Sequence, residues 1–96
     1  MGRRLVHRTD LNASPMLDTA RRLGLLVAVI ERPVDWLVWD GTRWFPVEVK
    51  ADRGKYTDAQ KTFLVNCNAR NAPVLTWRSE QQVMDYCNVL RQTLHR

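Results

Sequence analysis

Two acidic residues and one lysine stand where a predicted β-hairpin would bring them together. Asp35 opens one strand-like segment, and Glu48 and Lys50 lie near the end of the next. A two-residue loop at 41–42 and a four-residue loop at 40–43 give the same register, in which Asp35 faces Glu48. Because side chains alternate along a strand, Lys50 projects from the same face as Glu48.

Two carboxylates that converge from neighbouring strands form the hard-oxygen site that Mg²⁺ or Mn²⁺ prefers, with water and a substrate phosphate as further ligands. A lysine beside them can orient or deprotonate a water molecule, or stabilise charge that develops on phosphorus. The structural alternative is a cross-strand charge cluster in which Lys50 neutralises one acid. Like charges directly opposite each other destabilise a sheet, so either interpretation requires a compensating cation.

Helices and strands must alternate around this hairpin. Ser14, Pro15 and Gly24 predict the start and end of a first helix. Thr57 with Gln60 forms a capping-box pattern for a second helix, which ends before Pro73. A last helix opens at 79. The predicted strands are 25–31, 35–39, 43–51 and 74–78. The order α, β, β, β, α, β, α indicates an α/β or α+β sheet with helices packed on it.

The chain has 96 residues, which leaves room for a single domain. Its formal net charge of +5 is compatible with binding to a phosphate backbone, and equally with a cationic surface that is only solvated. Residues 1–13 are basic and polar and predict a flexible arm, and residues 14–96 are predicted to form the domain.

No segment is long and apolar enough to span a membrane, and no secretory signal is found, so we expect a cytoplasmic protein. Cys67 and Cys87 fit small buried side chains better than a disulfide or a zinc site.

Four stretches together resemble a known family. Arg32-Pro33-Val34-Asp35, followed by Val47-Glu48-Val49-Lys50, resembles the P-D…(D/E)-x-K signature of the restriction-endonuclease-like nucleases. The segment 51–60, with a glycine in its loop and a glutamine on the helix that follows, is similar to the VRR-NUC branch of that superfamily, as is 74–79. The resemblance covers roughly 25–80. It implies an αβββαβ core with a mixed sheet flanked by helices, to which this chain adds a C-terminal helix.

The resemblance also implies roles for individual residues. The metal ligands would be Asp35, Glu48 and the backbone carbonyl of Val49, and Asp18 is a candidate third acid because it is the only acid on the first predicted helix. Lys50 would be the catalytic lysine and Gln60 the helix glutamine near the attacking water. The capping box with Thr57 requires the same spacing of Gln60, so both interpretations remain open. The residues expected to contact DNA are Arg53, Lys55, Lys61 and Arg78.

The function implied is that of a Mg²⁺-dependent endodeoxyribonuclease, with Mn²⁺ as a substitute, no small-molecule cofactor, and products that carry a 5′-phosphate and a 3′-hydroxyl. A minimal domain without appendages for reading bases is expected to select DNA by shape. A homodimer that resolves four-way (Holliday) junctions, in a bacterial or phage-type protein, is the leading expectation. Three alternatives remain: a non-catalytic DNA-binding or interaction protein with the same fold, a generic nicking nuclease, and a sequence-specific restriction endonuclease, which the absence of a base-reading segment disfavours.

Overall fold

A computed structural model describes residues 10–51 and 53–94 of the chain. Its elements, in order, are α1 Asp10–Arg22, β1 Leu26–Val29, β2 Trp36–Trp39, β3 Trp44–Val49, α2 Asp58–Ala69, β4 Leu75–Trp77 and α3 Glu80–Leu94. The strands form one sheet in the order β1-β2-β3-β4, antiparallel except for the parallel pair β3 and β4. The predicted element order and α/β class are therefore confirmed over the described residues.

The hairpin of β2 and β3 has the predicted register. Trp39 pairs with Trp44 and Trp36 with Val47, so continuation of the ladder by one step brings Asp35 opposite Glu48. Asp35 lies just before β2, where its backbone carbonyl accepts hydrogen bonds from the amides of Ile30 and Glu31 at 2.8 and 3.1 Å. These bonds close the connection from β1 and fix the backbone that carries the Asp35 side chain.

The hairpin turn is held by Asp40. One oxygen of its carboxylate accepts hydrogen bonds from the Thr42 amide, the Thr42 hydroxyl and the Arg43 amide at 2.9, 2.7 and 3.0 Å. The other oxygen accepts from the Tyr86 hydroxyl of α3 at 2.6 Å. Burial of this carboxylate opposes its ionisation, but the four hydrogen bonds outweigh burial and lower the pKa of Asp40 from 3.8 to about 2. The turn and α3 are thereby joined through a carboxylate that stays ionised at neutral pH.

Replacing Asp40 by asparagine is expected to lower the free energy of unfolding by about 1–2 kcal/mol at pH 7. This is less than the full pKa shift would give, because solvent screens part of the interaction. Because the folded pKa lies below the unfolded one, this contribution is complete above pH 3.8 and disappears as the pH falls through about 2. Urea unfolding of both proteins at pH 7 and pH 2 measures the difference. A difference that persists undiminished at pH 2 would contradict the assigned cause.

The core lies between one face of the sheet and helices α1 and α3. Trp36 and Val38 of β2 and Val47 of β3 are buried there, and Trp77 of β4 meets Trp36 edge-to-face with ring centroids 6.2 Å apart. Alternation along the strands sends every second residue into this core, and the others to the opposite face. The side chains of Glu48 and Lys50 therefore leave the sheet on the face away from α1 and α3.

The predicted start of the first helix was wrong. We expected an N-cap at Ser14 and a proline in the first turn, but α1 begins at Asp10 and contains Pro15 in its interior. The fixed φ of proline is compatible with a helix, so the missing amide costs one hydrogen bond without ending the helix. Residues 10–13, predicted to belong to the flexible arm, are thus helical. The remainder of the predicted arm, residues 1–9, lies outside the described residues.

Opposite the core, the sheet carries two cross-strand rows of apolar side chains, which we call the apolar rows. One row consists of Leu26, Trp39 and Trp44, and the other of Ala28, Leu37 and Pro46. Leu26 is 57% exposed and Trp44 is 49% exposed. Helix α2 lies on this side of the sheet, towards β4, and has no buried residue. The apolar rows are therefore left largely open to solvent.

No helix in the described part of the chain is long and apolar enough to cross a membrane. Both cysteines are free thiols. Cys87 is buried as the sequence predicted, whereas Cys67 on α2 is only half-buried, because α2 has no buried residue. Burial also raises the pKa of the Cys87 thiol.

Candidate active site

The candidate site is at the carboxyl end of β3. Glu48 and Lys50 are 2% and 6% exposed, although both carry charged side chains, and the Lys50 ammonium lies 3.7 Å from the Glu48 carboxylate. The Asp35 carboxylate accepts a hydrogen bond from the Val49 amide at 2.8 Å. This bond ties the start of β2 to the end of β3, so Asp35 and Glu48 converge as the predicted register required.

Gln60 connects the second helix to these charged groups. Its side-chain oxygen accepts hydrogen bonds from the Lys50 ammonium at 2.7 Å and from the Thr57 amide at 2.9 Å. Its side-chain nitrogen donates to Glu48, and its backbone amide donates to the Thr57 hydroxyl at 3.1 Å. The sequence left two interpretations of Gln60 open, a capping box with Thr57 and a position beside the candidate catalytic groups. Both arrangements are present in the structure.

The electrostatics of the site disfavour a charged Glu48. Burial and the neighbouring Asp35 charge raise the pKa of Glu48 above its ordinary value of 4.5, and Lys50 and the hydrogen bonds from Asp35 and Gln60 offset only part of this rise. Two carboxylates and one ammonium leave a net negative charge when all three are ionised. A bound cation at this position would offset the repulsion between the carboxylates of Asp35 and Glu48.

Replacing Glu48 by glutamine is therefore expected to leave the metal-free protein as stable as the wild type, or to raise its Tm by a few degrees. A raised carboxyl pKa means that the wild type loses stability as the pH rises through the folded pKa, a loss that the neutral amide does not share. Thermal unfolding at pH 5 and pH 8 in a chelating buffer measures this. A loss of several degrees at pH 8 would mean that Glu48 is a stabilising residue instead.

Asp35, Glu48 and the Val49 carbonyl fit a Mg²⁺ ion by their chemistry. The N–H and C=O groups of one strand residue point to the same side of the strand, and the Val49 amide points to Asp35. The Val49 carbonyl therefore faces the same side. Together with the two carboxylates it provides three oxygen donors of the kind that Mg²⁺ uses.

Among the described residues, no group of three or more acids, histidines or cysteines could hold a metal. The candidate third acid, Asp18, is exposed on α1, which packs on the other face of the sheet, so the structure does not bring it to the site.

The four cations predicted to contact DNA differ in their surroundings. Arg53, Lys55 and Lys61 are exposed near the start of α2. Arg78 is half-buried, and one nitrogen of its guanidinium donates to the carbonyls of Ala51 and Gly54 at 3.0 and 2.8 Å. Arg78 thus holds the loop that follows β3, which the sequence did not predict.

Sequence reasoning missed Tyr56 and Thr76. The Tyr56 ring lies 5.5 Å from the Lys50 ammonium, and its hydroxyl is hydrogen-bonded to the Thr76 hydroxyl of β4. Thr76 pairs with Glu48 in the parallel ladder, so it shares the face of the site. The sequence placed Tyr56, which directly precedes the capping-box Thr57, in a loop, and the pairing of β3 with β4 brings its hydrogen-bond partner Thr76 to the site.

Comparison of the chain with family models, curated proteins and solved structures finds no match. The functional conclusions below therefore depend on the geometry of the chain itself and on the motif resemblance described above.

Proposed function

We propose that the chain is a metal-dependent endonuclease that hydrolyses phosphodiester bonds in DNA, of the VRR-NUC type. The observation that carries the proposal is the assembly of Asp35, Glu48, Lys50 and Gln60 at one end of the sheet, where Glu48 and Lys50 are buried and Gln60 is hydrogen-bonded to both. Asp35 is held beside them by its hydrogen bond from the Val49 amide. These residues come from two strands and a helix, and their order along the chain is that of the nuclease signature.

A purely structural role accounts poorly for this cluster. Buried charges are costly unless their partners compensate fully, and the raised pKa of Glu48 indicates that compensation is incomplete. Groups held in an unfavourable charge state are typical of sites where a ligand supplies the missing interaction.

The residues would divide the reaction among them. Asp35, Glu48 and the Val49 carbonyl would hold Mg²⁺, whose positive charge stabilises the phosphate as it is attacked. Lys50 would orient the attacking water and stabilise charge that develops on the phosphate, since its ammonium donates to Gln60 and lies beside Glu48. Gln60 would assist the orientation of that water from the first turn of α2. The attack would be in line with the departing oxygen.

DNA would approach from the cationic end of the site. Arg53 and Lys55 flank Gly54 in the loop after β3, and Lys61 follows on the first turns of α2. Exposed cations of this kind bind phosphates without reading sequence. A net charge of +5 favours the encounter further.

The partner of this chain would be a second copy. The apolar rows carry no charged side chain, so two chains that are both positively charged can approach there without repulsion. The edge of β1 is less suitable, because the Arg21 guanidinium already donates to the outward Val27 carbonyl at 3.0 Å. We therefore propose a face-to-face homodimer through the apolar rows. Two sites in one dimer would allow paired nicks across a four-way junction.

A panel of linear, flapped and four-way DNA substrates, each with Mg²⁺, Mn²⁺ or Ca²⁺, tests the function. We expect nicks with Mg²⁺ and Mn²⁺, preference for the four-way junction, and little cleavage with Ca²⁺. Binding without cleavage under every metal would favour a non-catalytic DNA-binding protein. Equal cleavage of linear and branched DNA would leave a generic nicking nuclease.

Replacing Arg53 and Lys55 together by alanine is expected to weaken DNA binding in Ca²⁺ and to flatten its salt dependence. Each phosphate contact contributes about 0.9 to the slope of log affinity against log salt, so the slope falls by up to about 2. Fluorescence anisotropy at several salt concentrations measures the slope. The matched control replaces Arg22 and Arg91, which are exposed on α1 and α3, and removes the same charge. An equal change in both variants would exclude the loop from the DNA path.

A further inference from the structure

Tyr56 is packed between the candidate catalytic lysine and strand β4. Its ring centroid lies 5.5 Å from the Lys50 ammonium and 5.9 Å from the centre of the Arg78 guanidinium. Both distances are within the range of about 6 Å in which an aromatic face attracts a cation. One ring therefore contacts the cation of the site and the cation that holds the neighbouring loop.

The position of this ring is fixed from two directions. The Tyr56 hydroxyl is hydrogen-bonded to the Thr76 hydroxyl of β4, the edge strand that pairs in parallel with β3. Arg78 holds the loop before Tyr56 through the carbonyls of Ala51 and Gly54. Gly54 permits this tight path, because a Cβ there would stand 3.3 Å from the backbone of Ala51.

A lysine side chain has a flexible four-carbon stem, so the place of its ammonium depends on the groups around it. Glu48 lies 3.7 Å from the ammonium, and Gln60 accepts its hydrogen bond at 2.7 Å while also donating to Glu48. When Glu48 serves as a metal ligand, its attraction for Lys50 weakens because the cation competes for the carboxylate. The aromatic ring is neutral and does not bind the metal, so its contact with Lys50 is the same before and after the metal binds.

We propose that Tyr56 is a positioning residue for Lys50: its ring holds the ammonium beside Asp35 and Glu48, and Thr76 and Arg78 fix the ring. The inference rests on the proposed nuclease function and extends it to residues outside the nuclease signature. Tyr56 itself contacts neither the carboxylates nor the reacting atoms in this role.

Three variants separate the ring from its hydroxyl. Tyr56→Leu removes the ring and should lower kcat about 10- to 100-fold, the effect of a misplaced catalytic group, with KM for junction DNA unchanged within about twofold. Tyr56→Phe keeps the ring, and Thr76→Val keeps the whole of Tyr56. Each should lower kcat by less than about fivefold. Substrate binding in Ca²⁺ and the affinity for Mn²⁺ should be the same in all three.

A measurement on Lys50 itself does not require cleavage. Protons of a lysine stem that lies over an aromatic face are shifted upfield in the NMR spectrum, and Lys50→Arg assigns the signal by its loss. The shift should persist in Tyr56→Phe and vanish in Tyr56→Leu. A wild-type protein that cuts no DNA would overturn the proposed function. Wild-type kcat in a folded Tyr56→Leu, or a Lys50 signal without an upfield shift in the wild type, would overturn only the positioning role.

Discussion

Replacing Lys50 by alanine is expected to lower the rate of junction cleavage by a factor of about 10² to 10⁴, the range for loss of a positioned proton-transfer or charge-stabilising group. The reason is that the Lys50 ammonium lies 3.7 Å from the Glu48 carboxylate, donates to Gln60 and contacts the Tyr56 ring. Single-turnover cleavage at saturating Mg²⁺ measures the chemical step without product release.

Arg91→Ala is the matched control, because it removes one positive charge that is exposed on α3, away from the site and from the cations proposed to contact DNA. Glu48→Gln should lose cleavage as severely, and Asp35→Asn should also weaken metal affinity by calorimetry. Circular dichroism shows whether each variant is folded. Wild-type rates in folded Lys50→Ala and Glu48→Gln proteins would refute the site assignment.

A single substitution in the apolar rows, Trp44→Glu, is expected to convert a dimer into a monomer of 11.2 kDa. The proposed interface buries Trp44, so the new carboxylate would lose its hydration without gaining a partner. Light scattering after gel filtration reports the mass. Paired cleavage of a four-way junction should fall to single nicks, while each site keeps its own chemistry.

Val89→Glu provides the control for this change, because Val89 is 61% exposed on α3 and the same charge is introduced at a similarly exposed apolar position. It should leave the mass of the assembly unchanged. A wild-type protein that elutes as a monomer at all concentrations, or a Trp44→Glu protein that remains dimeric, would contradict the proposed interface.

The hairpin could be predicted from sequence because its determinants are local. Asp40 and Gly41 specify the turn, the turn specifies the register, and the register determines that Asp35 meets Glu48. The capping box at Thr57 is equally local, and it correctly predicted the start of α2. The hairpin register and the alternation of side chains were sufficient to bring Asp35, Glu48 and Lys50 together, whereas the place of Gln60 beside them was expected from the motif resemblance.

What could not be predicted depends on contacts between distant parts of the chain. Arg78 looked like a DNA contact because it is a cation near basic residues, but only the parallel pairing of β3 with β4 brings it to the carbonyls of Ala51 and Gly54. Tyr56 reaches Lys50 by the same pairing. The start of the first helix was predicted wrongly for another reason: Pro15 is a frequent first-turn residue, but α1 accommodates it in its interior although proline lacks the amide and its ring crowds the preceding turn.

The double engagement of Gln60 also restricts how this protein can evolve. One amide caps α2 through Thr57 and contacts both Glu48 and Lys50, so a substitution at this position alters helix stability and chemistry together. Glutamate could keep the cap but would add a third negative charge, and alanine would lose both functions. The capping contact with Thr57 therefore constrains position 60 independently of what the site does. A glutamine at this position is explained by the helix alone, even without a reaction at the site.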